Sequence, residues 1–187
     1  VTTGEWGETL RNVFGQYRAP TGVTTEQRPT DAQLKSLQDL VKALEHKLGT
    51  PVSFLVGKPG LDGHSNGAEV IAVAARHAGF DVVYAGIRLA PEDIATSAIE
   101  EDADLIGVSI LSGSHLALLG QLMAALRAKG GGDIPVVVGG IIPAEDQPGL
   151  LAQGVAAVFT PKDYRIADIV EQMADLALAH RESQTGG

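Results

Sequence analysis

One stretch of this chain brings a cation, a carboxylate and an imidazole within seven positions, Lys58-Pro59-Gly60-Leu61-Asp62-Gly63-His64, and continues as Ser65-Asn66-Gly67. Asp62 and His64 stand two apart between glycines. In an irregular loop that spacing lets the carboxylate accept one ring N–H, which fixes the tautomer and leaves the other nitrogen free as a ligand or base. Lys58 would keep Asp62 ionised. Gly60, Gly63 and Gly67 permit close backbone approach of a bulky ligand. The plain alternative is a polar loop with a solvated histidine. A second stretch, Ser109-Ile110-Leu111-Ser112-Gly113-Ser114-His115, places small hydroxyls where strand ends usually carry bulky side chains. They leave space and offer hydrogen bonds, although Ser114 would equally serve as a helix N-cap before Leu116. Gly139-Gly140 and Thr160-Pro161 form two weaker signals, for which ordinary turn chemistry is the competing reading.

These residues need elements that gather them. From Pro51 onward, short apolar runs alternate with helical patterns. The predicted strands are 52–57, 81–85, 105–110, 134–138 and 156–159. The predicted helices are 67–78, 91–100, 116–129, 144–153 and 163–180, with Pro91 at a favourable first helical position. Apolar strands separated by helices imply a parallel sheet covered on both faces. Right-handed crossovers make it doubly wound, with strand order 2-1-3-4-5 expected. Ligands of such sheets bind beyond the carboxyl ends of the strands where the order reverses, between the first and third strands. The Lys58–Gly67 and Ser109–His115 loops follow those two strands.

Residues 1–50 read differently. Trp6, Leu10, Val13 and Phe14 suggest one helix over 5–17. Residues 23–30 read as a linker. Asp31 is a plausible N-cap for a second helix over 32–48, with Leu34, Leu37, Leu40, Val41, Leu44 and Leu48 as its apolar stripe. The expected division is a helical linker or docking segment over 1–50, a domain over 51–181 and a frayed polar tail over 182–187.

Composition narrows the partners. The chain has 187 residues, 44% hydrophobic and 20% charged, which suits a globular domain. Lysine plus arginine number 14 against 23 aspartate plus glutamate, a formal charge of −9, so nucleic acid is not an expected partner. There is no cysteine, which excludes disulfides, thiolate metal sites and a cysteine nucleophile. No apolar run reaches the roughly 20 residues of a membrane helix, and no signal peptide is apparent, so a cytoplasmic protein is expected. Aromatic residues make up 4% while glycines number 23, a small-residue interior. The chain starts at Val1 rather than Met, which suggests a processed or excised piece. There is no GxxxxGK[ST] or GxGxxG. The first strand end lacks the clustered carboxylates of a receiver domain and the hydroxyl-rich phosphate loop of a flavodoxin. The five histidines lack a zinc-ligand spacing.

Asp62-Gly63-His64-Ser65-Asn66-Gly67 resembles the D-x-H-x-x-G signature of cobalamin-binding domains, Ser109-Ile110-Leu111 their S-x-L, and Gly139-Gly140 their G-G. The resemblance covers roughly 51–180 and implies a flavodoxin-like fold. It implies base-off cobalamin with His64 as lower axial cobalt ligand, Asp62 accepting the other His64 proton, and Lys58 supporting Asp62. Gly63, Ser65 and Gly67 would complete that loop. Ser109, Leu111 and Ser112 would line a slot for the displaced nucleotide tail, Gly139 and Gly140 would leave it room, and Thr160 and Pro161 would close it. Residues 56–72, 4–23 and 159–164 further resemble acyl-CoA mutases, above all the ethylmalonyl type and next the methylmalonyl type. That implies adenosylcobalamin, a radical isomerase, and an acyl-CoA held by a substrate-binding barrel on another domain or subunit, with no catalytic residue in this chain and no turnover by it alone. Trp6 and Phe14 would anchor on that partner. A methyl-transfer carrier or a light-sensing regulator shares the loop. However, carriers place a longer helical cap before the domain, and a regulator needs a basic DNA-binding segment.

Overall fold

The computed structural model describes residues 2–14, 29–61, 63, 66–111, 113–160 and 165–185. The helix α1 spans Thr3–Phe14 and keeps Trp6 and Val13 exposed. The next helix, α2, spans Asp31–Leu48. Its N-cap is Thr30 rather than the expected Asp31. The Thr30 hydroxyl accepts from the Gln33 N–H at 3.3 Å, and the Gln33 side chain accepts the Thr30 N–H at 2.9 Å. That reciprocal pair satisfies two donors at once, which an aspartate one residue later would not do. Gly49, at φ 76°, ends the helix in the left-handed region.

Five strands follow: β1 (Ser53–Pro59), β2 (Asp81–Leu89), β3 (Leu105–Ile110), β4 (Val136–Gly140) and β5 (Ala157–Phe159). They alternate with α3 (Asn66–Ala78), α4 (Pro91–Glu100), α5 (His115–Ala128), α6 (Gln147–Gln153) and α7 (Ile166–Thr185). All described strand pairs are parallel, and the sheet order is β2-β1-β3-β4-β5, as expected. Two strands outrun their apolar stretches. Pro59 pairs with Leu89, and the Gly60 N–H donates to the Leu89 carbonyl at 3.0 Å, so β1 and β2 extend each other. The extension contains register shifts and left-handed residues, Gly86 at φ 116° and Arg88 at φ 59°, which a period-two pattern does not announce. At the other terminus α7 runs on to Thr185, past the expected frayed start at 182. Gln184 donates to Asp133 at 3.3 Å, and Glu182 pairs with Lys47.

The sheet buries both faces. Phe54, Val56, Leu105, Val137 and Ala157 pack with α2, α3 and α7. Leu55, Ile106, Val108, Ile110, Val136 and Val138 pack with α4, α5 and α6. Each fully buried Leu, Ile or Phe contributes about 1.5–3 kcal/mol. Because Leu37, Val41 and Leu44 of α2 lie in the first of these cores, the packed unit reaches back to Asp31 rather than starting at 51. Among the described helices, none is long and apolar enough to cross a membrane.

An ion pair closes the amino end of the sheet. Asp104, buried just before β3, accepts from Arg181 of α7 through both carboxylate oxygens and from the Ser53 N–H at 2.8 Å. Arg181 also donates to the Thr50 hydroxyl at 3.0 Å. The hydrogen bond to Asp104 raises the Arg181 pKa above its ordinary value. Asp104→Ala removes the carboxylate that accepts from Arg181 and from the Ser53 N–H, leaving Arg181 its bond to Thr50. It is expected to destabilise the fold by about 3 kcal/mol in urea denaturation, and a loss below about 1 kcal/mol would show that the contact is only a surface pair.

Candidate functional site

The geometry of a ligand site follows from which side chains the strands present at their carboxyl ends. On the α3 and α7 face, β3 carries Leu105, then Gly107, then Ser109, and β4 carries Val137, then Gly139. The side chains therefore shrink toward the carboxyl end. Ser109 pairs in register with Gly139, and Gly139 with Phe159, so one row across three strands has a glycine at its centre. Among the described residues, a Cβ built on Gly139 would meet nothing within 4 Å. Helix α3 begins directly over this row, because a Cβ on Gly67 would lie 3.7 Å from the Ser109 hydroxyl oxygen. A gap is thus framed by Ser109, Gly139 and the first turn of α3.

The other glycines there serve different ends. Gly107 is filled already: the Phe54 ring would stand 2.6 Å from an added Cβ. Phe54 in turn meets Phe80 edge-on at a centroid distance of 6.3 Å. Gly140, at φ 154°, makes no room for a ligand, since its Cβ would overlap the carbonyl oxygen of Ile110 on the paired strand. Of the two glycines expected to leave room for a ligand, Gly140 is taken up by its contact with the Ile110 backbone, while Gly139 has open space beside it among the described residues.

Lys58 lies near the end of β1 and is fully buried, an unusual position for an ammonium group. Gly57 before it faces Ile94 of α4, which turns Lys58 to the α3 face by strand alternation. Gly63 lies beside Arg88, whose guanidinium would stand 2.9 Å from a Cβ on Gly63. Leu111 sits on the rim rather than in the sheet, 39% exposed, alongside Leu61 and Ile141, which are also exposed. Three successive carboxyl-end loops thus each show an apolar side chain. Thr160 is buried at the end of β5. Ser114 occupies the N-cap position of α5 but makes no side-chain capping bond to that helix. Asp62, His64, Ser65, Ser112 and Pro161 lie outside the described residues. Among the described residues no group of three or more His, Cys, Asp or Glu side chains is placed to hold a metal.

Sequence reasoning missed Arg88, His115 and Asp146. Arg88 projects from a left-handed bulge beyond the apolar run of β2. His115 and Asp146 sit in separate loops and meet only through the β3–β4 pairing. No spacing rule joins residues 31 apart.

A family model described as "B12 binding domain" matches residues 52–170. An ethylmalonyl-CoA mutase of Methylorubrum extorquens is 50% identical over 194 residues, covering 100% of this chain and 28% of that protein. A 2-hydroxyisobutanoyl-CoA mutase small subunit of Aquincola tertiaricarbonis is 43% identical over 109 residues, covering 58% of this chain and 80% of that subunit. The chain spans about a quarter of the length of the ethylmalonyl-CoA mutases it matches, 27% and 28%. Among solved structures, a cobalamin-binding protein of Desulfitobacterium hafniense superposes with a TM-score of 0.59 at 20% identity, covering 92% of this chain and 77% of the other. At that identity the likeness establishes the fold.

The two glycines of the G-G pair should respond oppositely to a single methyl group. Gly140→Ala is expected to cost about 2–4 kcal/mol of stability, from backbone overlap and an unfavourable φ. Gly139→Ala should change it by less than about 0.5 kcal/mol. Urea denaturation of both variants checks this, and equal losses would show that the gap at Gly139 is closed.

Proposed function

This chain belongs to the B12-binding domain family, and from that premise we propose that it holds adenosylcobalamin base-off, with His64 as the lower axial cobalt ligand, for a radical acyl-CoA mutase. The observation that carries the reading is the gap at Gly139, framed among the described residues by Ser109 and the start of α3 at Gly67. A cofactor whose nucleotide tail enters the sheet needs missing side chains at that point. A corrin ring supplies four of the cobalt's nitrogens, so the protein needs to supply one ligand rather than a cluster.

In this reading each residue has a task. Asp62 accepts the second ring proton of His64 and so keeps the ligating nitrogen's lone pair available. Lys58, fully buried at the strand end, holds Asp62 ionised. Gly63, Ser65 and Gly67 let the loop backbone approach the ring. Ser109 and Gly139 border the tail, with Ser112, Thr160 and Pro161 closing around it, while Leu111 meets it at the rim. Gly140 contributes indirectly by letting β4 lie close on β3. When bound, the cofactor supplies a weak cobalt–carbon bond whose homolysis starts a carbon-skeleton rearrangement.

The acyl-CoA would be held by a substrate-binding barrel outside this sequence. Relatives three to four times this length and a relative named a small subunit support that division. Mutase names at 50% and 43% identity favour this reading over a methyl carrier. A cytoplasmic setting follows from an acyl-CoA substrate. By itself the chain would bind cofactor and turn nothing over.

The test is spectroscopic. Adenosylcobalamin bound to the chain should show the spectrum of nitrogen-ligated cobalt, and His64→Ala should convert it to the base-off spectrum. Bound cob(II)alamin in ¹⁵N-histidine-labelled protein should show one nitrogen coupling by electron paramagnetic resonance. His64→Ala should abolish that coupling and weaken binding by about tenfold or more. A coupling that persists in the variant would refute the ligand assignment.

A further inference from the structure

At the carboxyl end of the sheet, on the side opposite the gap, a histidine and an aspartate join two loops. His115 is the first residue of α5 and is 3% exposed. Its Nε2 lies 2.9 Å from Oδ2 of Asp146, in the connection from β4 to α6. An ionised carboxylate only accepts, so the ring proton is on Nε2, which donates. Asp146 occupies the N-cap position of α6, where an aspartate ordinarily caps, yet its side chain makes no capping bond. Its carboxylate is committed across the loops instead.

The cost shows on the other ring nitrogen. His115 Nδ1 is buried and, among the described residues, has no hydrogen-bond partner. An orphaned buried polar atom calls for an explanation. An apolar residue would pack the start of α5 without that penalty, so α5's own stability does not account for a histidine. The tie itself does. His115 ends the connection that follows Ser109 of β3 and carries Leu111 and Ser112. Asp146 ends the loop that starts at Gly139-Gly140 and shows Ile141. Beneath the tie, Gly140 pairs closely with Ile110. This hydrogen bond adds a polar tie, at the mouth of the gap, to the packing of α5 on α6, where Leu116 lies against Gly149.

We propose that His115, held by Asp146, is a positioning residue for the cofactor: the pair sets the separation of the β3–α5 and β4–α6 loops so that the site is formed before binding. The inference rests on the cobalamin reading above. A site held in its binding geometry loses less on ligand capture than one that must be ordered, so breaking the tie lowers affinity rather than fold stability.

The experiment measures adenosylcobalamin affinity by absorption titration, and Tm by calorimetry, on the full chain and four variants. His115→Leu and Asp146→Ala each remove the tie, and each should weaken binding by about tenfold, the lower end for residues that orient ligands from behind. The double variant should be no weaker than either single, because both remove the same interaction. His115→Leu also removes the orphaned nitrogen, so its Tm should stay within about 2 °C of the parent or rise. His115→Gln places an amide N–H near the position of Nε2 and should restore parental affinity. Unchanged affinity in His115→Leu overturns the proposal, as does an affinity loss matched by a lower Tm, which would mark a purely structural contact. A His115→Gln variant as weak as His115→Leu also overturns it, since Nδ1 would then be what matters. Failure of the unaltered chain to bind adenosylcobalamin overturns the cobalamin reading as well, whereas normal parental binding with unaffected variants overturns only the positioning role.

Discussion

The pairing of β1 with β3 sets the terms for everything else in this molecule. β1 pairs with β2 on one side and β3 on the other, so the chain leaves β1 toward one face and β3 toward the opposite face. Helices α3 and α5 therefore diverge from neighbouring strands, and no connection bridges the crevice between them. The Lys58–Gly67 loop and the Ser109–His115 loop are brought together by that topology alone. Without the reversal of strand order, residues about 50 apart in the chain would share no site.

A crevice beside a parallel sheet is nonetheless close to a packed core, and the protein has to open it without losing the core. It does so by grading side-chain size along one face. Leu105 and Val137 seal the sheet at the amino end, Phe54 fills the space over Gly107, and only at Ser109 and Gly139 does the packing stop. Three glycines within this small region answer to three different demands. Gly107 admits an aromatic ring from the neighbouring strand, Gly139 leaves open space, and Gly140 lets two backbones touch. A high glycine content is therefore not one property but several, and only the surroundings of each residue tell them apart.

Those surroundings explain what could be read in advance. Strand order, helix faces and the strands that the two principal loops follow were legible because hydrophobic period and chain order determine them: Leu105–Ile110 and Pro91–Glu100 lie where their patterns place them. The ends of elements were less legible. β2 continues through Gly86 and Arg88 because β1 supplies a partner, and α7 continues to Thr185 because Asp133 and Lys47 reach it. α2 belongs to the core because α3 and α7 offer it a surface, which its own stripe of leucines does not specify. In the site, residue types that do chemistry stood out, whereas the group that spaces the loops did not. His115 follows a serine-rich loop and reads as the start of a helix, and Asp146 reads as a cap. Their bond depends on Gly140 lying against Ile110, a contact between backbones that no side-chain pattern records.

The structure also separates where the fold is secured from where it is left unfinished. The amino end of the sheet carries a buried ion pair between Asp104 and Arg181, a backbone N–H from Ser53 on the same carboxylate, and the Phe54–Phe80 contact. The carboxyl end carries, among the described residues, a gap at Gly139 and exposed leucine and isoleucine side chains. Such features lower stability in a free chain and become favourable only when something covers them. A parallel sheet can tolerate this because its hydrogen bonds and both cores run its full width below the rim. The strain of an open site then falls on loops, which carry little of the fold, and the β3–α5 and β4–α6 connections are held by the packing of α5 on α6 and by the tie between His115 and Asp146. Stability and binding are in this way assigned to opposite ends of the same five strands, so the loops at the rim can be adapted to a ligand and a partner while the latch at the far end keeps the sheet closed.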